Sequence, residues 1–244
     1  MRRLSTVVTA VFFLMAALLG WFLPLADFNV YDQISEGSQK DLDIKQINLT
    51  YRDDLTMNQK INIAYYESAF EDAIDIDRGI YFQEDELARI IGDFLADFTG
   101  YRFDVANSWI AVPKLVYLNN RGTIVVWRIE VFLDENWEFE CYVDDMTGAI
   151  LRCAFYGNPD CWDDLVHGIY DAEDPFEFLS NKYRTAVYNH YASRLNAKIV
   201  TYHKVGDSNY GEVASYLFVF KDDKNYTFEL PVSFYLPYGR IEPY

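Results

Sequence analysis

Between Thr123 and Tyr156 apolar and polar positions alternate with a period of two through three successive runs, the mark of half-buried strands. Gly148 closes Asp145-Met146-Thr147-Gly148 and suits a three-residue hairpin loop whose last residue takes a positive φ. That loop sets Asp145 opposite Ala149, Val143 opposite Leu151, Cys141 opposite Cys153 and Phe139 opposite Phe155. Upstream, the turn Asp134-Glu135-Asn136 sets Val131 opposite Phe139, Ile129 opposite Cys141 and Trp127 opposite Val143. The two turns together predict one apolar face: Trp127, Ile129, Val131, Phe139, Cys141, Val143, Leu151, Cys153 and Phe155. Arg128, Glu130, Glu138, Glu140 and Arg152 fall on the other. A one-residue slip in either hairpin would scramble both faces.

The period changes upstream. Leu87, Ile90, Ile91, Phe94, Leu95 and Phe98 recur at helical spacing and predict a helix over 84–98 that lays one stripe on the apolar face. Glu84, Asp85 and Glu86 suit its N-terminal dipole, and Gly100 can end it. A strand over 109–118 reaches the sheet through Asn119-Asn120-Arg121-Gly122. Before the helix, Thr56-Met57-Asn58-Gln59 has the form of a capping box opening a short helix. Gly157-Asn158-Pro159-Asp160 reads as a boundary. Beyond it Asp174 and Pro175 open a second helix, to about Leu195, with Glu177 completing a box-like pair. Strands are predicted over 197–205, 213–221 and 226–235, and a fourth starts at Gly239-Arg240-Ile241. Pro231 marks 226–235 as an edge or weak strand. Helix then antiparallel meander thus occurs twice, at 84–156 and 174–244, and the class is α+β.

Composition changes the picture mainly at the N-terminus. Met1-Arg2-Arg3 precedes 23 uncharged residues, Leu4 to Ala26. A helix of about 20 apolar residues spans a bilayer, whereas a signal peptide has an apolar region of about 7–15. Pro24-Leu25-Ala26 is also a poor cleavage site. The expectation is a transmembrane anchor over 1–26, with Arg2 and Arg3 keeping the N-terminus cytoplasmic. A stalk and short helix over 27–82 follow, then α+β units over 83–157 and 158–244, all extracytoplasmic. Two of the 21 Lys and Arg but none of the 38 Asp and Glu precede residue 27, so the remainder carries −19. Such a surface disfavours nucleic acid and anionic lipid, whose binding needs Lys and Arg.

Tyr142-Val143-Asp144-Asp145-Met146-Thr147-Gly148-Ala149-Ile150-Leu151, preceded by a helix and by Trp127, resembles the last hairpin of PepSY-like domains, with its Val-Asp-x-x-Thr-Gly-x-Ile/Leu pattern. The resemblance covers about 75 residues. The second unit keeps only Gly239 and Ile241 of it. It implies a cystatin-like α+β fold and a non-catalytic, extracytoplasmic, often membrane-attached protein that regulates peptidases or senses surface conditions. It transfers no functional residue.

Few residues suggest chemistry. Cys141 and Cys153, cross-strand neighbours in the predicted register, are either a disulfide or two small buried thiols, and Cys161 is left over. His167, His190 and His203 fall on a linker, a helix edge and a strand, without the spacing of a metal site. Asp75-x-Asp77-x-Gly79 lacks the third oxygen ligand of a calcium loop. Asp160, Asp163, Asp164, Asp171, Glu173 and Asp174 read as a solvated linker. No nucleophile, phosphate-loop or dinucleotide motif occurs. No catalytic, cofactor-binding or metal residue is therefore assigned, and no cofactor is expected. The sequence points to a membrane-anchored, non-enzymatic protein that binds a protein partner. The alternative is a surface module taking peptide or glycan on an aromatic sheet face. Free sheet edges are expected at 109–118 and 239–244, and alanine at any single His, Cys or acidic residue is expected to leave function intact.

Overall fold

Helix α1 (Met57–Tyr65) opens on the predicted capping box. Gln59 Oε1 accepts from the Thr56 N–H at 2.9 Å, and Thr56 Oγ1 accepts from the Gln59 N–H at 3.4 Å. The computed structural model describes residues 55–65, 70, 73–118, 122–207 and 212–243. Among these, no helix is long and apolar enough to cross a membrane. The uncharged run 4–26 and most of the expected stalk lie outside the described residues.

Helix α2 (Glu84–Thr99) carries the predicted stripe, and all six of its large apolar residues are buried. Gly100, in the left-handed region at φ 86°, ends it by donating its N–H to Ala96 O. Helix α3 is a single turn (Trp162–Leu165), and α4 spans Pro175–Leu195. Asp174 caps α4 by accepting from the N–H groups of Phe176 and Glu177 at 2.9 and 3.1 Å. Leu179, Tyr183, Ala186, Val187, His190 and Tyr191 form its buried stripe.

The strands are β1 (Ile74–Asp75), β2 (Trp109–Leu118), β3 (Gly122–Phe132), β4 (Trp137–Asp144), β5 (Ile150–Gly157), β6 (Lys198–Asp207), β7 (Val213–Lys221), β8 (Thr227–Tyr235) and β9 (Arg240–Glu242). They make one antiparallel sheet in the order β1-β2-β3-β4-β5-β9-β8-β7-β6. Helix plus four-strand meander does occur twice, as α2 with β2–β5 and α4 with β6–β9, and the last strands of the two meanders pair. The central hairpins keep the predicted register at Val131–Phe139, Ile129–Cys141, Trp127–Val143, Cys141–Cys153 and Phe139–Phe155. One pair differs. A bulge at Tyr142/Val143 sets Val143 opposite Ile150, not Leu151.

Both long helices lie on the predicted apolar face. Phe94 meets Phe139 and Phe98 meets Phe155 at ring distances of 5.9 and 4.8 Å, while Tyr191 meets Phe220 and Phe228 at 5.0 and 5.2 Å. α1 covers part of the opposite face, where Tyr65 Oη donates to Pro231 O at 3.0 Å. The rest of that face is a lattice of charge: Arg128 meets Glu130 at 2.6 Å and Glu140 at 3.3 Å, and Arg240 meets Glu242 at 2.6 Å.

The sheet corrects one expected edge and narrows the other. Residues 240–242 sit at its centre, not its rim, between β5 and β8. The seam needs Gly239: at φ 57° a Cβ there would lie 2.1 Å from Gly157 O, and the Gly157 N–H donates to Gly239 O at 2.8 Å. β2 is partly covered, because β1 pairs with Leu115 and Lys114. Pro231 lies in an inner strand, not an edge: β8 runs between β7 and β9, with Pro231 opposite Leu217 of β7 and β9 paired only with Ser233–Tyr235. On the far side β6 is outermost, with no further strand beyond it among the described residues.

Candidate functional site

The hairpin that organises the sequence is tied down by two adjacent buried carboxylates. Asp144 receives Lys60 Nζ of α1 at 3.0 Å on both oxygens, and Oδ2 also accepts from the N–H and Oγ1 of Thr147 at 3.1 and 2.6 Å. Lys60 itself is 3% exposed, so both charges of this pair are out of water. Asp145 turns to the opposite face of the sheet. Its Oδ2 accepts from the N–H groups of Ile80 and Tyr81 at 2.7 and 3.0 Å, and its Oδ1 from Phe82 N–H and Trp127 Nε1 at 3.3 and 2.7 Å. The segment leading into α2 is thereby clamped to the sheet. A Cβ at Gly79 would lie 2.3 Å from Asp145 Oδ1, so the approach requires glycine. These carboxylates hold the fold together through every lone-pair direction they use. Turn chemistry places them at the hairpin's end; their partners are the amides of Ile80, Tyr81 and Phe82 and the ammonium of Lys60.

His190 is likewise internal, not at a helix edge. It is 6% exposed, and its Nε2 accepts from the Ile150 N–H at 2.9 Å, which puts the ring proton on Nδ1. Tyr191 Oη donates to the carbonyl of the same Ile150. Burial, and secondarily the charge of Arg194, lower the His190 pKa to about 3. Cys141 and Cys153 face each other as predicted and are free thiols. Burial raises both, Cys153 to about 12, and Cys153 Sγ lies 3.3 Å from Tyr183 Oη. Neither is poised as a thiolate. His167 is exposed beside Asp163 at 3.3 Å, and His203 is exposed on β6. Asp75 pairs with Lys114 at 2.6 Å. Within the acidic linker, Asp163 accepts from Gly168 N–H at 2.7 Å and Asp174 caps α4. Among the described residues no three His, Cys, Asp or Glu are grouped to hold a metal ion.

Two features face outward. The first is β6. Its residues 200–206 are exposed, and bulges at Ile199/Thr201 and Lys204/Gly206 leave Val200 and Val205 outside the pairing with β7. Between the bulges, Thr201–Lys204 runs in regular register. Tyr202 stacks on Phe218 at 5.9 Å under the Arg184 guanidinium at 4.4 Å, so α4 holds this edge in place.

The second is a groove of about 600 Å³ between α2, the C-terminal half of α4 and the short 3₁₀ helix Val105–Asn107. Ala88, Gly92 and Ala96 thin its α2 wall, and Phe94, Phe103 and Val105 supply apolar lining. Its charged groups are Arg89, Arg102, Arg194, Asp93, Asp97 and Asp104. Sequence reasoning missed it, because these residues are spread over three elements.

Comparison with protein-family models, with curated proteins and with solved structures gives no match.

Proposed function

We propose that this chain is a non-catalytic, membrane-anchored extracytoplasmic protein that works by capturing a protein partner, an extended segment of a neighbouring membrane or secreted protein, through strand addition on β6. The observation that carries the reading is that open edge: ten residues long, outermost in the sheet, exposed, and braced from behind by Tyr202 and Arg184. Bulges at both ends limit uncontrolled pairing, and between them Thr201–Lys204 keeps regular register with β7. The buried His, Cys and Asp groups support the same reading, since each is engaged in packing or in hydrogen bonds that hold the fold. The resemblance of 142–151 to PepSY-like hairpins adds a class of partner, a peptidase or another membrane protein under regulation, and a cystatin-like description of each unit. An aromatic sheet face for glycans has less in its favour. Tyr142 is covered by Phe70 at 4.6 Å, and Tyr156 lies beneath Arg240 at 5.2 Å.

Proline scanned through Thr201–Lys204 tests the edge. N–H groups alternate in direction along a strand, so two alternate positions point at the incoming chain and two at β7. Capture should be lost at one alternate pair in variants that remain folded, while the other pair destabilises the sheet. Uniform retention of capture across folded variants contradicts the proposal. The anchor is tested separately: the chain should keep Met1–Ala26 and stay with the membrane through carbonate washing. Release of a fragment starting near Asp27 would show a secreted protein.

A further inference from the structure

The segment that leads into and forms β6 differs in charge from the rest of the chain. Between Phe178 and Gly206 there are five Lys and Arg and no Asp or Glu, whereas the other 16 Lys and Arg share the chain with all 38 Asp and Glu. The fold brings part of this charge to the edge. Lys198 of β6 and Lys221 of β7 are direct cross-strand partners, and both are exposed. Their neighbours Ile199 and Phe220 turn toward α4, where Phe220 meets Tyr191 at 5.0 Å, so the two lysines share the face away from α4. Like charges directly opposite each other repel. On the α4 side, Arg184 stands over Tyr202 at 4.4 Å. Among the described residues none of Arg184, Lys198 and Lys221 pairs with a carboxylate. Acids stand around this rim and not on it. Asp207 ends β6, Glu212 precedes β7, and Glu229 of β8 lies opposite Val219. Beyond Lys221, Asp222 accepts from the N–H groups of Lys224 and Tyr226 at 3.0 and 2.8 Å, and Asp223 is exposed.

Given strand addition at β6, on which this assignment rests, we propose that the captured segment is acidic, an extended strand with Asp or Glu at alternate positions. Side chains alternate between the faces of a strand, so such a segment sets one row of carboxylates on the face that carries Lys198 and Lys221. A carboxylate there replaces the repulsion between two lysines with attraction to both. The acidic remainder of the chain repels the same segment, which confines its docking to the rim where the sign of charge is reversed. A second copy of this chain would set the cations of one β6 against those of the other, so pairing between two β6 edges is disfavoured.

The test is titration of the full-length chain, in a neutral detergent, with four peptides, followed through the amide shifts of Thr201–Lys204. The first is acetyl-Thr-Glu-Val-Glu-Val-Glu-Thr-amide. The second and third carry Gln or Lys at its Glu positions. The fourth is the acidic peptide N-methylated at its first Val and at the Glu that follows; adjacent N–H groups point to opposite sides of a strand, so one of the two would bond β6 in any register. The acidic peptide should bind roughly tenfold more tightly than the Gln peptide at low salt, and the gap should narrow at about 0.5 M salt. The Lys peptide should bind least, and N-methylation should remove most of the binding. In the double variant Lys198→Glu/Lys221→Glu, changed at two exposed positions, the preference for Glu over Gln should vanish or reverse while the Gln peptide binds as before. Equal binding of the Glu and Gln peptides at β6, or an unchanged preference in the folded double variant, overturns the acidic assignment and leaves strand addition standing. Undiminished binding of the N-methylated peptide shows that charge alone is read, as for any anionic polymer. That result, shifts confined to residues outside β6, or no binding by any of the four overturns strand addition and this assignment with it.

Discussion

Asp145→Ala should lower the stability of the chain by several kcal/mol. Its carboxylate, with no exposure to solvent, accepts from Ile80, Tyr81, Phe82 and Trp127 Nε1, and alanine would strand all four donors inside the protein. A buried donor without a partner costs about 1–3 kcal/mol. Four of them remove roughly 4 kcal/mol or more from the 5–15 kcal/mol or so that holds a typical domain. Because three of the donors are consecutive amides, the 79–82 segment would also lose its hold on the sheet, and α2 begins directly after it. Trp127→Phe removes one donor while the other three keep their acceptor, so its effect should be much smaller. Urea unfolding followed by circular dichroism separates the two. A midpoint for Asp145→Ala equal to that of Trp127→Phe would show that the clamp is not what holds this segment.

Acid should destabilise the protein through His190, beginning well above the carboxylate range. In the folded chain its pKa is lowered from 6.5 to about 3, by burial first and by Arg194 second. The unfolded chain takes up a proton near pH 6.5 that the folded chain refuses, so unfolding is favoured as pH falls. The stability this group contributes is complete above pH 6.5 and is lost progressively down to about pH 3. At 1.36 kcal/mol per unit the full loss is roughly 5 kcal/mol. His190→Gln keeps an acceptor, its Oε1, for the Ile150 N–H and does not titrate. It should flatten the pH dependence of the melting temperature between pH 6.5 and 4 while staying folded at neutral pH. A wild-type melting temperature that is level from pH 7 to 5 would show that His190 is not held neutral.

Both effects come from polar residues whose roles the sequence conceals, and the reason is physical. Alternation and turn chemistry are local, so Trp127 to Phe155 disclose their register, and the spacing Leu87 to Phe98 discloses α2. Asp144, Asp145 and His190 bond groups far away in the chain, which neither alternation nor turn chemistry discloses. Lys60 is 84 residues from Asp144, and His190 is 40 from Ile150. The bulge at Tyr142/Val143 also lies beyond a simple hairpin rule. It goes with an Ile150 whose N–H and carbonyl are both taken by α4, through His190 and Tyr191.

The misplaced edge has a similar origin. A strand of three residues carries little period of its own, and last position in a meander suggested the rim. What places β9 at the centre is the contact of Gly239 with Gly157, 82 positions apart in the numbering, together with the pairing of Ile241 with both Phe155 and Phe234. Once the terminal strands of the two meanders are spent on each other, β6 is left outermost among the described strands. The groove was invisible for a different reason: it is a gap between α2, α4 and residues 105–107, shaped by Ala88, Gly92 and Ala96, which in sequence read only as small helix residues.

The central claim, that β6 is where a partner strand docks, is tested most directly by photo-crosslinking in the native membrane. A photoreactive residue at Val200 or Val205, the two exposed positions outside the β7 pairing, should give a discrete adduct with one protein. The same probe at Tyr170, which is 61% exposed on the linker before α4, should give none. A discrete adduct from Tyr170 with none from Val200 or Val205 would place the partner elsewhere and contradict the account.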